Sequence, residues 1–161
     1  MTIETIMRKR LIASDAQSVS EQPWLSLETA VSLELTSEDQ AHPIEAALSL
    51  RGGTGWRASG PGAQTIRLIF DKPQRLRRIN LVFKESDISR TQEFLLRWRP
   101  DADPGFRQIV RQQWNFSPPQ TSQEIEDYEV DLGEVKVLEL VIVPDIAGGN
   151  KYASLESLRL A

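Results

Sequence analysis

An alternation of apolar and polar side chains with a period of two residues is the feature that most limits what this chain can fold into. In two segments every second residue is large and apolar: Ile66, Leu68 and Phe70, then Ile79, Leu81 and Phe83. Successive side chains of a strand point to opposite faces, so each segment is predicted to bury one face of a sheet. Pro73 lies between them and cannot donate to a ladder, which predicts two strands broken at Asp71–Gln74.

The same pattern recurs along most of the chain. Further strands are predicted at 25–35, 94–98, 106–116, 128–132, 135–143 and 155–160, the fifth of them central because it is apolar on both faces. The inward phase of these strands places Trp98, Trp114 and Phe116 in the core. Pro43–Leu48 suits a short helical turn. About eight strands with almost no helix indicate an all-β fold, a single β-sandwich of the jelly-roll type.

Composition fits one domain spanning residues 1–161, with residues 1–24 as an N-terminal arm. The chain has 161 residues, 40% hydrophobic and 26% charged, which suits a globular domain with a real core. No apolar run approaches the roughly 18 residues that a membrane span needs. Cysteine is absent, which excludes disulfides and thiolate chemistry. A cytoplasmic location without membrane attachment is therefore expected.

Charge is distributed unevenly along the chain. Residues 51–111 carry 13 basic and 6 acidic side chains, whereas residues 112–161 carry 3 basic and 9 acidic ones. One interpretation is cross-strand pairing between the basic middle and the acidic end. The other is an anion-binding face. The net charge of −4 and the lack of a lysine-rich tail argue against a nucleic-acid partner.

Residues that could perform catalysis are few. His42 is the only histidine, so a site with several histidine ligands to a metal is excluded. Glu124, Glu126 and Asp127 are acidic neighbours, and a solvated strand edge explains them better than a glycosidase pair does. Gly52–Gly55 lacks the lysine and helix of a phosphate-binding loop. The sequence therefore predicts a protein that is not an enzyme and uses no cofactor.

The order of motifs from Ala41 to Ala161 resembles the discoidin, or coagulation factor C-type, domain of the galactose-binding-like superfamily. The matching elements are Trp56 after a glycine-rich loop, a strand at 65–70, the turn at Pro73, a strand at 76–83, and the Ala153–Glu156 approach to the last strand. This resemblance implies a jelly-roll sandwich that binds its ligand through loops. It also implies that Trp56 plugs one end of the core.

The sequence departs from the discoidin pattern where some members bind calcium. Arg51 stands near the position at which those members carry an aspartate, although Glu156 matches their C-terminal glutamate. A cation there would lack a hard oxygen ligand and would face a positive charge. No metal site is therefore expected.

The resemblance points to a binding module with its ligand at one end of the sandwich. Four residues in polar or glycine-rich connections are predicted to surround a shallow pocket: Arg57, Arg90, Asn150 and Tyr152. They supply a stacking ring, an amide and two planar cations, which suit a carbohydrate or an acidic small ligand. The alternative is an intracellular protein–protein interaction module, a role that this fold also serves. The oligomeric state is left open.

Overall fold

The structure is a computed structural model, and it describes residues 23–161. These residues form eight strands and one short helix, in chain order β1 (Val31–Leu35), α1 (Glu45–Leu48), β2 (Trp56–Pro61), β3 (Gln64–Lys84), β4 (Arg90–Pro100), β5 (Arg107–Phe116), β6 (Gln123–Val143), β7 (Tyr152–Leu155) and β8 (Ser157–Leu160). The prediction of an all-β fold with one short helical turn is confirmed. Most of the predicted N-terminal arm lies outside the described residues. Among these, no helix is long and apolar enough to cross a membrane.

All strand pairs are antiparallel. The main sheet has the order β1–β3–β6–β4–β5, and β8 also pairs with β3. Strands β2 and β7 form a separate two-stranded ribbon. Strand β6 lies between β3 and β4 over its second half, which confirms the central strand predicted at 135–143.

A bend in β3 converts the main sheet into a sandwich. The predicted break at Asp71–Gln74 is wrong as a strand end, because β3 runs on through Pro73, but its register with β6 shifts there. The first half of β3 pairs with β1, and its second half pairs with β8. Phe83 in the second half stacks on Phe94 of β4, with ring centroids 5.3 Å apart. The two halves therefore belong to opposing layers that share one core.

The core contains the side chains that the alternation predicts. Ile66, Leu68, Phe70, Ile79, Leu81 and Phe83 are all buried, as are Phe94, Leu96 and Phe116. Trp98 and Trp114 were predicted to be core residues as well, but both are only partly buried against its rim. The Arg107 guanidinium covers the Trp98 ring at 5.0 Å, so this side of the ring faces a hydrated cation instead of apolar atoms.

The prediction of one strand over residues 25–35 is wrong in its first half. The Leu25 N–H donates to the Leu160 carbonyl at 2.8 Å, and Leu27 is buried in the core. The chain then turns at residues 28–30, and β1 begins at Val31. The alternation of apolar residues continues across the turn because the segment before it and β1 after it both cover the same core. Only β1 belongs to the β-ladder.

Candidate ligand-binding site

The β2–β7 ribbon closes one side of the core and presents its other face to solvent. Trp56 pairs with Leu155, and both side chains are buried. The Trp56 ring is 1% exposed, and its indole N–H donates to the Ser37 carbonyl at 3.0 Å. Gly55 has a φ of 78°, and a Cβ there would lie 2.7 Å from the Leu155 carbonyl oxygen. The glycine before the tryptophan is therefore required for the close approach of the two strands, and the predicted plug role of Trp56 is confirmed.

The outward face of the ribbon carries two of the predicted ligand residues. Arg57 pairs with Ser154, so these side chains face away from the buried Trp56 and Leu155. Tyr152 lies two residues before Ser154 on the same face, about 7 Å along the strand. Its side chain is 40% exposed, and it pairs with Pro61. Arg57 and Tyr152 were both predicted to lie in connections, but Arg57 belongs to β2 and Tyr152 is the first residue of β7, so both have a fixed backbone.

A polar cleft of about 150 Å³ opens beside Arg57. Its lining consists of His42, Thr54, Trp56, Arg57, Lys84, Ser154, Leu155 and Glu156. Arg57 is exposed, and within residues 23–161 no carboxylate lies within ion-pair distance of its guanidinium. The planar guanidinium therefore keeps its donors available to a ligand.

Two other polar groups of the cleft have carboxylate neighbours. Lys84 Nζ lies 3.6 Å from a Glu156 carboxylate oxygen, a long and exposed contact. His42 Nδ1 lies 2.9 Å from an Asp39 carboxylate oxygen, and this hydrogen bond, helped by the charge of Arg57, holds the pKa of Asp39 below its usual value. Arg57 and Lys84 contribute two positive charges to the cleft and its surroundings, and Glu156 and Asp39 contribute two negative ones, so an anionic group would be held by the donors of Arg57 rather than by a net charge.

Asn150 lies in the loop of residues 144–151, which leads directly into Tyr152. The Gly62 N–H donates to the Lys151 carbonyl at 3.1 Å, and Lys151 Nζ lies 3.1 Å from an Asp145 carboxylate oxygen. The first contact attaches the end of the loop to the residue that follows β2, and the second is made within the loop. Asn150 is exposed and lies two residues before Tyr152.

Arg90 does not reach this surface, and its predicted place in an exposed loop is wrong. It is the first residue of β4, and its side chain is 1% exposed. Its guanidinium donates to Glu85 at 2.7 Å, to the Gln92 side chain at 3.1 Å and to the Pro144 carbonyl at 2.8 Å, and it stacks on the Phe116 ring. Arg57 and Tyr152 therefore lie on the outward face of the ribbon and Asn150 is exposed in the loop before it, whereas Arg90 is buried.

Comparison with solved structures connects this architecture to known domains. No protein-family model and no curated protein sequence matches the chain. The structure resembles the module CBM32-5 from Clostridium perfringens, solved with GalNAc-β-1,3-galactose, at 16% identity and a TM-score of 0.63, covering 86% of this chain and 99% of the other. It also resembles an F5/8 type C domain from Bacteroides fragilis, at 16% identity and a TM-score of 0.54, covering 85% and 95%.

A third similar structure is a pectin-binding carbohydrate-binding module. It is 15% identical, with a TM-score of 0.58, and the match covers 82% of this chain and 90% of the module. The chain has the galactose-binding-like jelly-roll fold. The resemblance to discoidin-type domains inferred from Trp56, Pro73 and the strands around them is therefore confirmed for the fold.

Within the jelly roll, the acidic segment at the start of β6 differs from its prediction. Asp127 is exposed as expected for a solvated strand edge, but Glu124 is fully buried, with Glu126 beside it on the inner face. Gln92 Nε2 donates to Glu124 at 3.1 Å. Burial, followed by the neighbouring Glu126, raises the pKa of Glu124 to about 9, and burial also raises the pKa of Tyr128. Glu124 is thus a neutral core residue that no substrate can contact.

Several residues of the cleft were not singled out as ligand groups by sequence reasoning. His42 was considered as a metal ligand but not as a ligand-binding group, and Lys84 and Ser154 were not considered. Lys84 also borders a second, wider cleft with Glu85, Ser86, Ser122 and Gln123. Lys84 ends a buried strand and precedes a polar loop, and this position was the signal in the sequence that could have identified it.

The expectation of no metal site stays a prediction. Among the described residues, no cluster of three or more His, Asp or Glu side chains is arranged to hold a cation.

Proposed function

We propose that this domain is a non-catalytic carbohydrate-binding module whose ligand lies on the outward face of the β2–β7 ribbon and in the adjacent cleft. The observation that carries the proposal is the exposed ring of Tyr152 on the same rigid face as Arg57 and Ser154. Structures with the same fold include modules solved with bound sugars. The single histidine and the burial of Glu124 support a binding role rather than hydrolysis.

The chemistry of this surface suits a sugar. An exposed aromatic ring offers an apolar face to the C–H side of a pyranose, and the ring is held in place because Tyr152 belongs to a strand. The Asn150 amide supplies a donor and an acceptor for hydroxyl groups, and the Ser154 hydroxyl supplies both as well. Arg57 adds a planar fork of donors that matches a carboxylate in a bidentate arrangement.

The available donors of Arg57 favour an acidic sugar over a neutral one. Among the described residues, Arg57 and Lys84 line the cleft together with His42 and the carboxylate of Glu156, and Asp39 binds His42 beside it. A uronic acid presents its carboxylate on the same ring that stacks on an aromatic side chain, so it uses both parts of the surface. The similarity in fold to a pectin-binding module agrees with this ligand class.

Isothermal titration calorimetry with oligogalacturonate, and with galactose as the neutral comparison, tests the proposal. We expect saturable binding of the acidic oligomer that weakens as salt is raised, and loss of binding in Arg57→Ala and in Tyr152→Ala. Matched controls are Arg75→Ala and Ile125→Ala, an exposed arginine and an exposed apolar residue outside the cleft lining. Equal losses in the controls, or no binding of either sugar by the unaltered domain, would contradict the proposal.

A further inference from the structure

The buried guanidinium of Arg90 joins two loops and two strands of the sandwich at the end that carries the proposed site. Its Nε donates to Glu85 at 2.7 Å, and its Nη1 donates both to the Gln92 side chain at 3.1 Å and to the Pro144 carbonyl at 2.8 Å. The guanidinium lies 4.7 Å from the centre of the Phe116 ring. These contacts come from two different loops and two different strands.

The contact with Glu85 fixes the loop of residues 85–89, which follows Lys84. The second carboxylate oxygen of Glu85 accepts the N–H groups of Asp87 at 3.0 Å and Ile88 at 3.3 Å. Burial raises the pKa of Glu85, but the hydrogen bonds from Arg90 and from these N–H groups outweigh it and hold the pKa below its usual value. Glu85 is therefore an ionised bridge between Arg90 and the backbone of the loop.

The contact with Pro144 fixes the beginning of the loop of residues 144–151. Next to it, the Ile146 N–H donates to the Thr91 carbonyl at 2.8 Å, which ties the loop to β4 a second time. The far end of the same loop carries Asn150 and enters β7 at Tyr152. Arg90 thus holds the backbone that precedes the proposed ligand residues without touching the ligand surface.

We infer that Arg90 is a positioning residue that fixes the 85–89 and 144–151 loops against each other and so sets the geometry of the carbohydrate site. This inference rests on the proposed function for its ligand. A guanidinium suits the role because its donors lie in one plane and point in several directions, whereas an ammonium is a single compact charge. Lysine at this position keeps the charge but cannot serve Glu85, Gln92 and Pro144 with the same geometry.

Hydrogen exchange and affinity, measured on the same variants of the full chain, test the inference. The variants are Arg90→Lys, Arg90→Met and, as a matched destabilised control, Leu76→Ala, which opens the core beside the bend of β3. We expect exchange in residues 85–91 and 144–151 to rise about tenfold in both Arg90 variants, a change that corresponds to 1.4 kcal/mol. Leu76→Ala should leave both loops at the wild-type rate. Affinity for oligogalacturonate should fall about tenfold in Arg90→Lys and stay unchanged in Leu76→Ala.

The outcomes separate this inference from the proposed function. Wild-type exchange in both loops of Arg90→Lys would overturn the inference whatever the affinity, and so would faster exchange with unchanged affinity. If the wild-type domain binds no sugar, the proposed function fails, and the exchange contrast between Arg90→Lys and Leu76→Ala still decides whether Arg90 holds the loops. If Arg90→Met does not fold, the measurements on Arg90→Lys are sufficient to test the inference.

Discussion

Replacing Glu124 by glutamine should change how the stability of the domain depends on pH. Glu124 is fully buried on the inner face of β6, where Gln92 donates to it and Glu126 lies beside it. Burial and the neighbouring carboxyl group raise its pKa to about 9, from 4.5 in an unfolded chain. Folding therefore takes up one proton at Glu124 at every pH between these two values.

The sign and the size of the effect follow from this proton uptake. Because the folded pKa is the higher one, the contribution of Glu124 to stability is complete below about pH 4.5 and declines as the pH rises toward 9. The slope is at most about 1.4 kcal/mol per pH unit, or about 4 kcal/mol between pH 5 and pH 8. Carboxylates with lowered pKa values, such as Glu85 and Asp127, titrate below this window and do not mask it.

Urea denaturation at pH 5, 6, 7 and 8 and constant ionic strength measures this slope. The wild-type domain should lose unfolding free energy steadily as the pH rises, whereas Glu124→Gln, which keeps the shape without a titrating proton, should be nearly flat and more stable at pH 8. Glu129→Gln, an exposed change on the same strand, should keep the wild-type slope. Identical slopes in Glu124→Gln and in the wild type would refute the assignment of a neutral, buried Glu124.

Two further predictions concern the core and metal binding. Phe94→Ala should cost about 3–5 kcal/mol in unfolding free energy, whereas Trp98→Ala should cost about half as much because its ring is only partly buried under Arg107; equal losses in urea denaturation would mean that Trp98 is a full core residue. A chelator, or millimolar calcium, should leave the melting temperature unchanged, because Arg51 stands near the position of the calcium-binding aspartate; a shift of several degrees in calorimetry would contradict this.

The strands were predictable because side chains that are buried on one face of a sheet recur at every second position of the sequence. Ile66, Leu68 and Phe70 alternate on one face of β3, and this pattern needs no knowledge of the partner strands. The path of the chain between strands was harder to predict from the sequence. Pro73 indicates a local break in pairing, but only the tertiary structure shows that β3 continues as a bend. Leu25 and Leu27 keep the alternation even though they precede a turn, because both cover the same core.

The site was predictable where exposure follows from local composition. Asn150 and Tyr152 adjoin a glycine-rich connection, and Arg57 follows a buried tryptophan, so all three were placed at the surface correctly. The burial of Arg90 and Glu124 was not predicted, because the sequence does not show which buried polar groups a charged side chain will contact in the fold. Pro144 lies 54 residues from Arg90, and Gln92 lies 32 residues from Glu124, so these partners meet only in the folded sandwich. Lys84 joins the cleft for the same reason.

An NMR titration of the ¹⁵N-labelled domain with oligogalacturonate tests the central claim most directly, because it finds the binding surface without assuming it. The account predicts saturable shifts that cluster at the amides of Arg57, Tyr152 and Ser154 on the β2–β7 ribbon and at Lys84 beside the adjacent cleft. Saturable shifts that cluster elsewhere, for example around Arg111 on β5, or no saturable shifts at all, would contradict it.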